Sequence, residues 1–547
     1  VPSPIGAPRR ARLEVVLATV IALLWVVVFY RVPIFSRFEQ ISGYSSDTRL
    51  AIFLAEHWRA VVVDGVPWRS PTMFAPVGGT LGYSDTYVLS AVTYIPLRAC
   101  GFQPTAAYQL SLMLTAGAAL AASTWIARRW FGLRPIVAVP LACVAMLPNS
   151  LFTQAGHTQL AAVHWIPIIA LLFGWGRRAV TRTSAGLAMA LSGALSGLLL
   201  LSAFYVTWFA IVALGVAAAV ATLSSGPRSL PRRIRAVETK DLFHAASYLA
   251  GLSIPAAAFA SLYLPVLESG RERTAGDAAL FGMRPRHLFN VGDENLLWGW
   301  LHEPHLAGEL GREWLVGFPP MFLITIAACS WATRRLPTEP RRSAWAARCS
   351  GAAAATGALI VAPMWFGERS LWPAAVRLVP GAEAIRAPGR MWLMAVVTGT
   401  TAIAAAVAAR ASTDPRRAAP ARHLAAGLIA LLLLEQVNAD TTQRIDVRSE
   451  RRLADAAATI PPACESFYAV GASSDGTPWG VHIDAMFVSM FARRPTLDGY
   501  SGFEPDGYTV QPGEAGHRSG AWAWAEEHDI EEGLCELDLS TSTWRTL

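Results

Sequence analysis

The chain has 547 residues, of which 53% are hydrophobic and 16% charged, with a formal net charge of +7. A soluble chain of this length would be cut into several domains of ordinary polarity, and this composition excludes that organisation. The positive balance comes from arginine, with Lys240 the single lysine, and it sits at the ends of apolar runs; it is a topology signal and not a nucleic-acid surface.

In chain order, Arg9, Arg10 and Arg12 precede an apolar run over 13–30. No small-residue cleavage site follows it, so the run reads as an uncleaved first membrane helix and not as a signal peptide. Further apolar runs cover 105–127, 136–151, 160–175, 185–201, 206–223, 242–266, 315–331, 352–365, 391–409 and 424–437. That makes about eleven candidate transmembrane helices near the length that crosses the hydrocarbon core. With the N-terminus cytoplasmic, the even connections carry Arg128/Arg129/Arg134, Arg177/Arg178/Arg182, Arg228/Arg232/Arg233/Arg235/Lys240, Arg334/Arg335/Arg341/Arg342/Arg348 and Arg410/Arg416/Arg417/Arg422. All are short and arginine-rich, as cytoplasmic loops are. The odd connections (31–104, 152–159, 267–314, 366–390 and the tail) hold acids, histidines and aromatics and fall on the outer side. The expected fold is an α-helical polytopic membrane bundle over 1–437, with a large first outer loop at 31–104. A small extracytoplasmic α/β domain over 438–547 completes it.

Cys464 and Cys535 both lie in that tail, where an oxidising compartment permits a disulfide; two unpaired buried thiols are the alternative. Cys100, Cys143, Cys329 and Cys349 lie in or near spans and read as small apolar groups.

The first outer loop supplies two carboxylates. From Thr48, the spacing of Leu50, Phe53, Leu54, Trp58 and Val61 predicts an amphipathic interfacial helix, with Asp47 just before it. Asp85 likewise precedes an apolar helix over 87–97. Each aspartate either caps its helix or acts as a base at the membrane boundary. His157 and His164 flank the start of the fourth span, at a separation poor for shared metal ligation. In the 267–314 loop, Glu268, Arg271, Glu272, Arg273, Asp293 and Glu294 read as solvated charge. His302-Glu303-Pro304-His305 is only superficially a metal motif, because proline breaks the required helix. Arg386 and Arg390 lie on the outer side against the charge trend, so they either snorkel or hold a phosphate.

Several segments, in order, resemble the GT-C superfamily of membrane glycosyltransferases and a group of large bacterial multi-pass proteins within it. They are Ser46-Asp47-Thr48, Phe74-Ala75-Pro76 with Leu81-Gly82-Tyr83-Ser84-Asp85, and Gly156-His157-Thr158-Gln159-Leu160 with His164-Trp165-Ile166-Pro167. Pro380-Gly381, Ile385-Arg386-Ala387-Pro388-Gly389-Arg390 and Asp498-Gly499-Tyr500-Ser501-Gly502-Phe503 complete the set. The resemblance implies a bacterial plasma-membrane enzyme that moves a sugar from a polyprenyl-phosphate donor to a glycan, lipid or protein acceptor hydroxyl, with inversion. It implies Asp47 as catalytic base, Asp85 as a second acid, and Arg386, Arg390 and His157 at the donor phosphate. Glu56, His164 and Tyr500 are the candidates on the acceptor side. The superfamily's adjacent acidic pair is absent, since Ser46 and Thr48 flank Asp47, so no divalent metal or other cofactor is expected. Membrane lipids and the lipid-linked sugar are the expected partners. A lipid or polysaccharide transporter is the rival reading, and the scarcity of ionisable residues inside the spans, with Glu14 and Glu435 near ends, weighs against it. A non-catalytic scaffold of the same fold is the other alternative.

Overall fold

The computed structural model describes residues 7–224, 238–269, 275–302, 314–335, 340–411, 427–440, 444–511 and 514–547. Arg228, Arg232, Arg233, Arg235, Arg271, Glu272, Arg273, Glu303, His305, Arg416, Arg417 and Arg422 lie outside them.

The protein is a multi-pass α-helical membrane protein. Nine helices among the described residues are long and apolar enough to cross a bilayer: Arg12–Phe29, Pro104–Arg129, Pro135–Thr153, Thr158–Gly176, Arg182–Ser202, Phe204–Ser224, Thr239–Glu268, Ala344–Val361 and Pro388–Arg410. Eight coincide with expected runs; the run expected over 352–365 is displaced to 344–361, and its end lies in the strand Trp365–Phe366. Of the other two, 315–331 becomes the 15-residue helix Pro320–Arg334, and within 424–437 residues 427–434 are helical. The bundle turns large apolar side chains outward: Ile254 is 79% and Leu214 70% exposed. In water such a belt would associate, whereas in lipid it costs nothing.

The two ends of the bundle differ. At one, Arg177 pairs with Asp241 at 2.9 Å and Arg134 pairs with Glu14, joining arginine-rich connections that the sequence separates widely. At the other lie the first loop and the tail, which share one core. Leu50, Phe53, Leu54, Phe74 and Tyr108 pack into the same cluster as Phe467, Met486, Trp524 and Leu537. Backbone pairing stitches the two together. Strand Gln40–Ser42 runs antiparallel to Arg444–Asp446, and the Phe74 and Ala75 amides donate to the carbonyls of Asp498 and Thr496. The tail itself is α/β. Strand Ser466–Val470 pairs in parallel with Leu534–Asp538, which pairs antiparallel with Thr543–Thr546, and helices Arg448–Ala458, Gly480–Ala492 and Glu514–Glu527 accompany the sheet. Cys464 and Cys535 are joined by a disulfide, with Cα atoms 5.6 Å apart.

The first-loop helix runs over Ser45–Asp64 and differs from expectation in two ways. It begins before Asp47, which therefore lies in its first turn. Every residue from Thr48 to Trp58 is buried, so the helix is sandwiched between bundle and tail and does not lie along a lipid surface. The apolar stripe was read correctly, but the remaining face is covered by tail residues whose approach no local spacing announces.

Candidate active site

Four elements converge on Asp47. The helix start supplies the carboxylate itself, where the partial positive charge of the first-turn N–H groups favours an anion. The turn before the Thr158–His164 segment supplies His157, whose Nδ1 is 2.8 Å from Asp47 Oδ2. Gly156 is required there, because a Cβ at that position would collide with the Tyr44 ring, which packs edge-on against His157 at 5.6 Å. From the tail, the Tyr500 hydroxyl donates to Asp47 Oδ1 at 2.8 Å. Tyr500 reaches it because Gly499 lets the chain pass over Phe74, where any Cβ would meet the ring.

The fourth element is the turn Pro388–Arg390 at the start of the helix Met391–Ala411. Arg390 is buried, and its Nη2 is 3.0 Å from His157 Nε2. A guanidinium has only donors, so Nε2 accepts and the imidazole carries its hydrogen on Nδ1, which it donates to Asp47. The result is a carboxylate–imidazole–guanidinium chain, in which a buried arginine adds its charge to the positive end of a helix.

Burial raises the Asp47 carboxyl, but hydrogen bonds from His157 and Tyr500 and the charge of Arg390 outweigh it and hold the group below the usual carboxylate range. Burial and the neighbouring Asp47 charge in turn hold the Tyr500 phenol well above its usual range. Asp47 keeps lone pairs in hand, because a carboxylate offers about four acceptor positions.

Asp85 is near but differently used. It does not cap its own helix, Val88–Ala99; its Oδ1 accepts from the Phe204 amide at 3.1 Å, capping the span that starts there. Burial pushes its carboxyl up to about 6, against the pull of that amide and of Arg390, and the Asp47 charge adds to the rise. Arg386 is exposed at the rim, with its guanidinium 5.0 Å from the Phe281 ring centroid and its amide donating to the Tyr205 hydroxyl at 2.6 Å.

Two expected site residues are elsewhere. Glu56 lies further along the same helix, bonded to Arg59 at 2.5 Å, Tyr94 at 2.6 Å and Arg98 at 3.0 Å. Its hydrogen bonds are spent on locking the first loop. His164 is 1% exposed and bonded to the Met146 carbonyl at 2.8 Å, inside the bundle, so it tethers one helix to the next.

One pair was missed. Arg49 and Asp484 form an ion pair at 2.6 Å with side chains 1% and 2% exposed, and the Arg49 guanidinium stacks 4.3 Å over Phe487. Ser474 caps the arrangement by donating its amide and hydroxyl to Asp484 at 2.6 and 2.7 Å. This pair docks the tail onto the helix two residues from Asp47. The available signal was that Arg49 and Glu56, seven apart, share one face of a helix otherwise apolar there.

No known protein family and no curated protein sequence matches the chain. Among solved structures, it is similar to the Archaeoglobus fulgidus oligosaccharyltransferase, at 14% identity over 95% of this chain and 67% of that one, TM-score 0.42. It is also similar to ArnT from Cupriavidus metallidurans. The form bound to undecaprenyl phosphate matches at 14% identity over 88% of this chain and 85% of that one, TM-score 0.38. The apo form matches at 13% identity over 96% of this chain and 93% of that one, TM-score 0.40.

Proposed function

We propose that the protein is a GT-C-type glycosyltransferase that moves a sugar from a polyprenyl phosphate to an acceptor hydroxyl on the extracytoplasmic face. The observation that carries this reading is the Asp47–His157–Arg390 chain, an anionic base and an anion-binding cation held by one imidazole. In the reaction, the acceptor oxygen attacks the anomeric carbon as its proton passes to the Asp47 carboxylate. The bond to the carrier phosphate breaks with its electron pair staying on phosphate, and configuration inverts. Arg390, with Arg386 at the rim, stabilises that leaving charge. Tyr500 and His157 hold the carboxylate in register. Concentration of arginine at the opposite end supports the assigned side.

The test supplies membranes containing the protein with a radiolabelled polyprenyl-phosphate sugar and scores label in covalent product. Wild type is expected to transfer, and Arg390→Met to raise KM for the donor and lower kcat, together costing on the order of 10²-fold in kcat/KM. Movement of lipid-linked sugar across the bilayer with no covalent product would replace this reading with transport.

Asp85 adds a pH dependence. Above about 6 its carboxyl is ionised and places a negative charge near Arg390. Donor affinity should therefore fall as pH rises through that value, seen as a rising apparent KM, and Asp85→Asn should flatten the rise. An identical profile in the variant would remove Asp85 from donor binding.

A further inference from the structure

A second cluster lies inside the tail and takes no part in the proposed chemistry. His482 on the helix Gly480–Ala492, Asp498 on the segment beside Phe467, and His517 on the helix Glu514–Glu527 point one ligand atom each at a common centre. Those atoms all lie within 4.8 Å of one another. The three are 0%, 0% and 4% exposed. His482 Nδ1 is 2.9 Å from Asp498 Oδ1, and His517 Nε2 is 3.0 Å from the same oxygen. The other oxygen, Oδ2, is committed elsewhere, accepting from the Ala469 amide at 2.8 Å and the Thr496 hydroxyl at 3.2 Å. Oδ1 is therefore left facing two imidazoles.

Hydrogens resolve that meeting only in part. His517 Nδ1 lies 3.1 Å from the Gln511 carbonyl, to which only an N–H can bond, so its neutral form turns the bare Nε2 lone pair on a carboxylate oxygen. Nε2 has no partner of hydrogen-bonding geometry among the described residues. With His517 alone cationic and His482 donating from Nδ1 the charge balances, but the His517 Nε2–H then meets Oδ1 outside hydrogen-bonding geometry. Making both rings cationic would bury an unbalanced charge. A divalent cation satisfies the arrangement with one species, accepting both nitrogen lone pairs and the oxygen.

We propose that His482, Asp498 and His517 form a divalent-metal site of the zinc class, two imidazoles and one carboxylate with water in the fourth position. Zinc at roughly 2.0–2.2 Å from each ligand needs ligand–ligand separations of roughly 3.3 Å, a few tenths beyond the two nitrogen–oxygen distances, with the third separation within 4.8 Å. Three separate elements meet here, so the ion would act as a staple between them. It would also fix the segment that carries Tyr500, two residues beyond Asp498. The site is apart from the Asp47 carboxylate, so it leaves the metal-free reading of the sugar transfer unchanged.

The test uses the full chain with an affinity tag free of histidine, purified in detergent, exposed to excess zinc and desalted. Elemental analysis should find about one zinc per chain, and cobalt in its place should show the visible absorption bands of a tetrahedral site. The His482→Gln/His517→Gln double variant should lose zinc on the order of tenfold. In case that variant fails to fold, chelation of wild type should lower Tm and zinc should restore it. Wild type that retains less than about a tenth of an equivalent, or a folded double variant that retains as much zinc as wild type, overturns the site in favour of a proton-bridged pair.

Discussion

Asp47→Asn is expected to lower sugar transfer by on the order of 10²–10⁴-fold with the protein still folded, the range that a positioned general base supplies. The amide keeps the shape of the carboxylate and one acceptor for either the Tyr500 hydroxyl or the His157 Nδ1–H, so the helix start should survive. What it loses is the ability to take the acceptor's proton. Donor binding at Arg386 and Arg390 should persist, so the loss should appear in kcat and leave KM for the lipid-linked sugar nearly unchanged. Tyr500→Phe removes one hydrogen bond to the Asp47 carboxylate and leaves that group in place, and should cost far less. Because its neighbours hold the Asp47 carboxyl below the usual range, its ionisation should not limit the rate anywhere near neutral pH. Transfer by Asp47→Asn at the wild-type rate would remove this residue from the mechanism.

Arg49→Leu is the second large effect. It leaves Asp484 buried with the Ser474 donors but without its countercharge, and breaking such a pair from one side costs about 3–5 kcal/mol. The loss should appear as a lowered unfolding midpoint in detergent and as protease sensitivity of the tail. Transfer should fall with it, since Arg49 stands next to Thr48 in the turn that presents Asp47. Replacing both partners, as Arg49→Met with Asp484→Leu, should recover most of the stability, because the pair mainly offsets its own desolvation. If the single variant is as stable as wild type, the tail is not held by this contact.

The membrane architecture was legible because it depends on local quantities. A run of about twenty apolar residues must find lipid, and arginine at its end must find water, whatever the rest of the chain does. Run length alone did not decide the outcome: 315–331 forms the 15-residue helix Pro320–Arg334, whereas the shorter runs 136–151 and 160–175 fall within spans of 19 residues. Asp47 stood out because it follows the first span, and Arg386 and Arg390 because they break the charge trend. Glu56 and His164 looked equally plausible in sequence, since nothing local distinguishes a histidine that tethers two helices from one that faces a substrate. Their partners Arg98 and Met146 identify them as structural.

By itself the amino-acid sequence determined the helical class, the segregation of arginine to one set of connections, and the acids and arginines that a lipid-phosphate chemistry would use. Only the tertiary structure decided which of them meet. Asp47, His157, Arg390 and Tyr500 are separated by 110, 233 and 453 positions along their hydrogen-bonded links, and each link is made by packing between elements. The same holds for the Arg49–Asp484 pair and for the two histidines on Asp498. Periodicity reports which face of an element is buried, and not which distant element buries it.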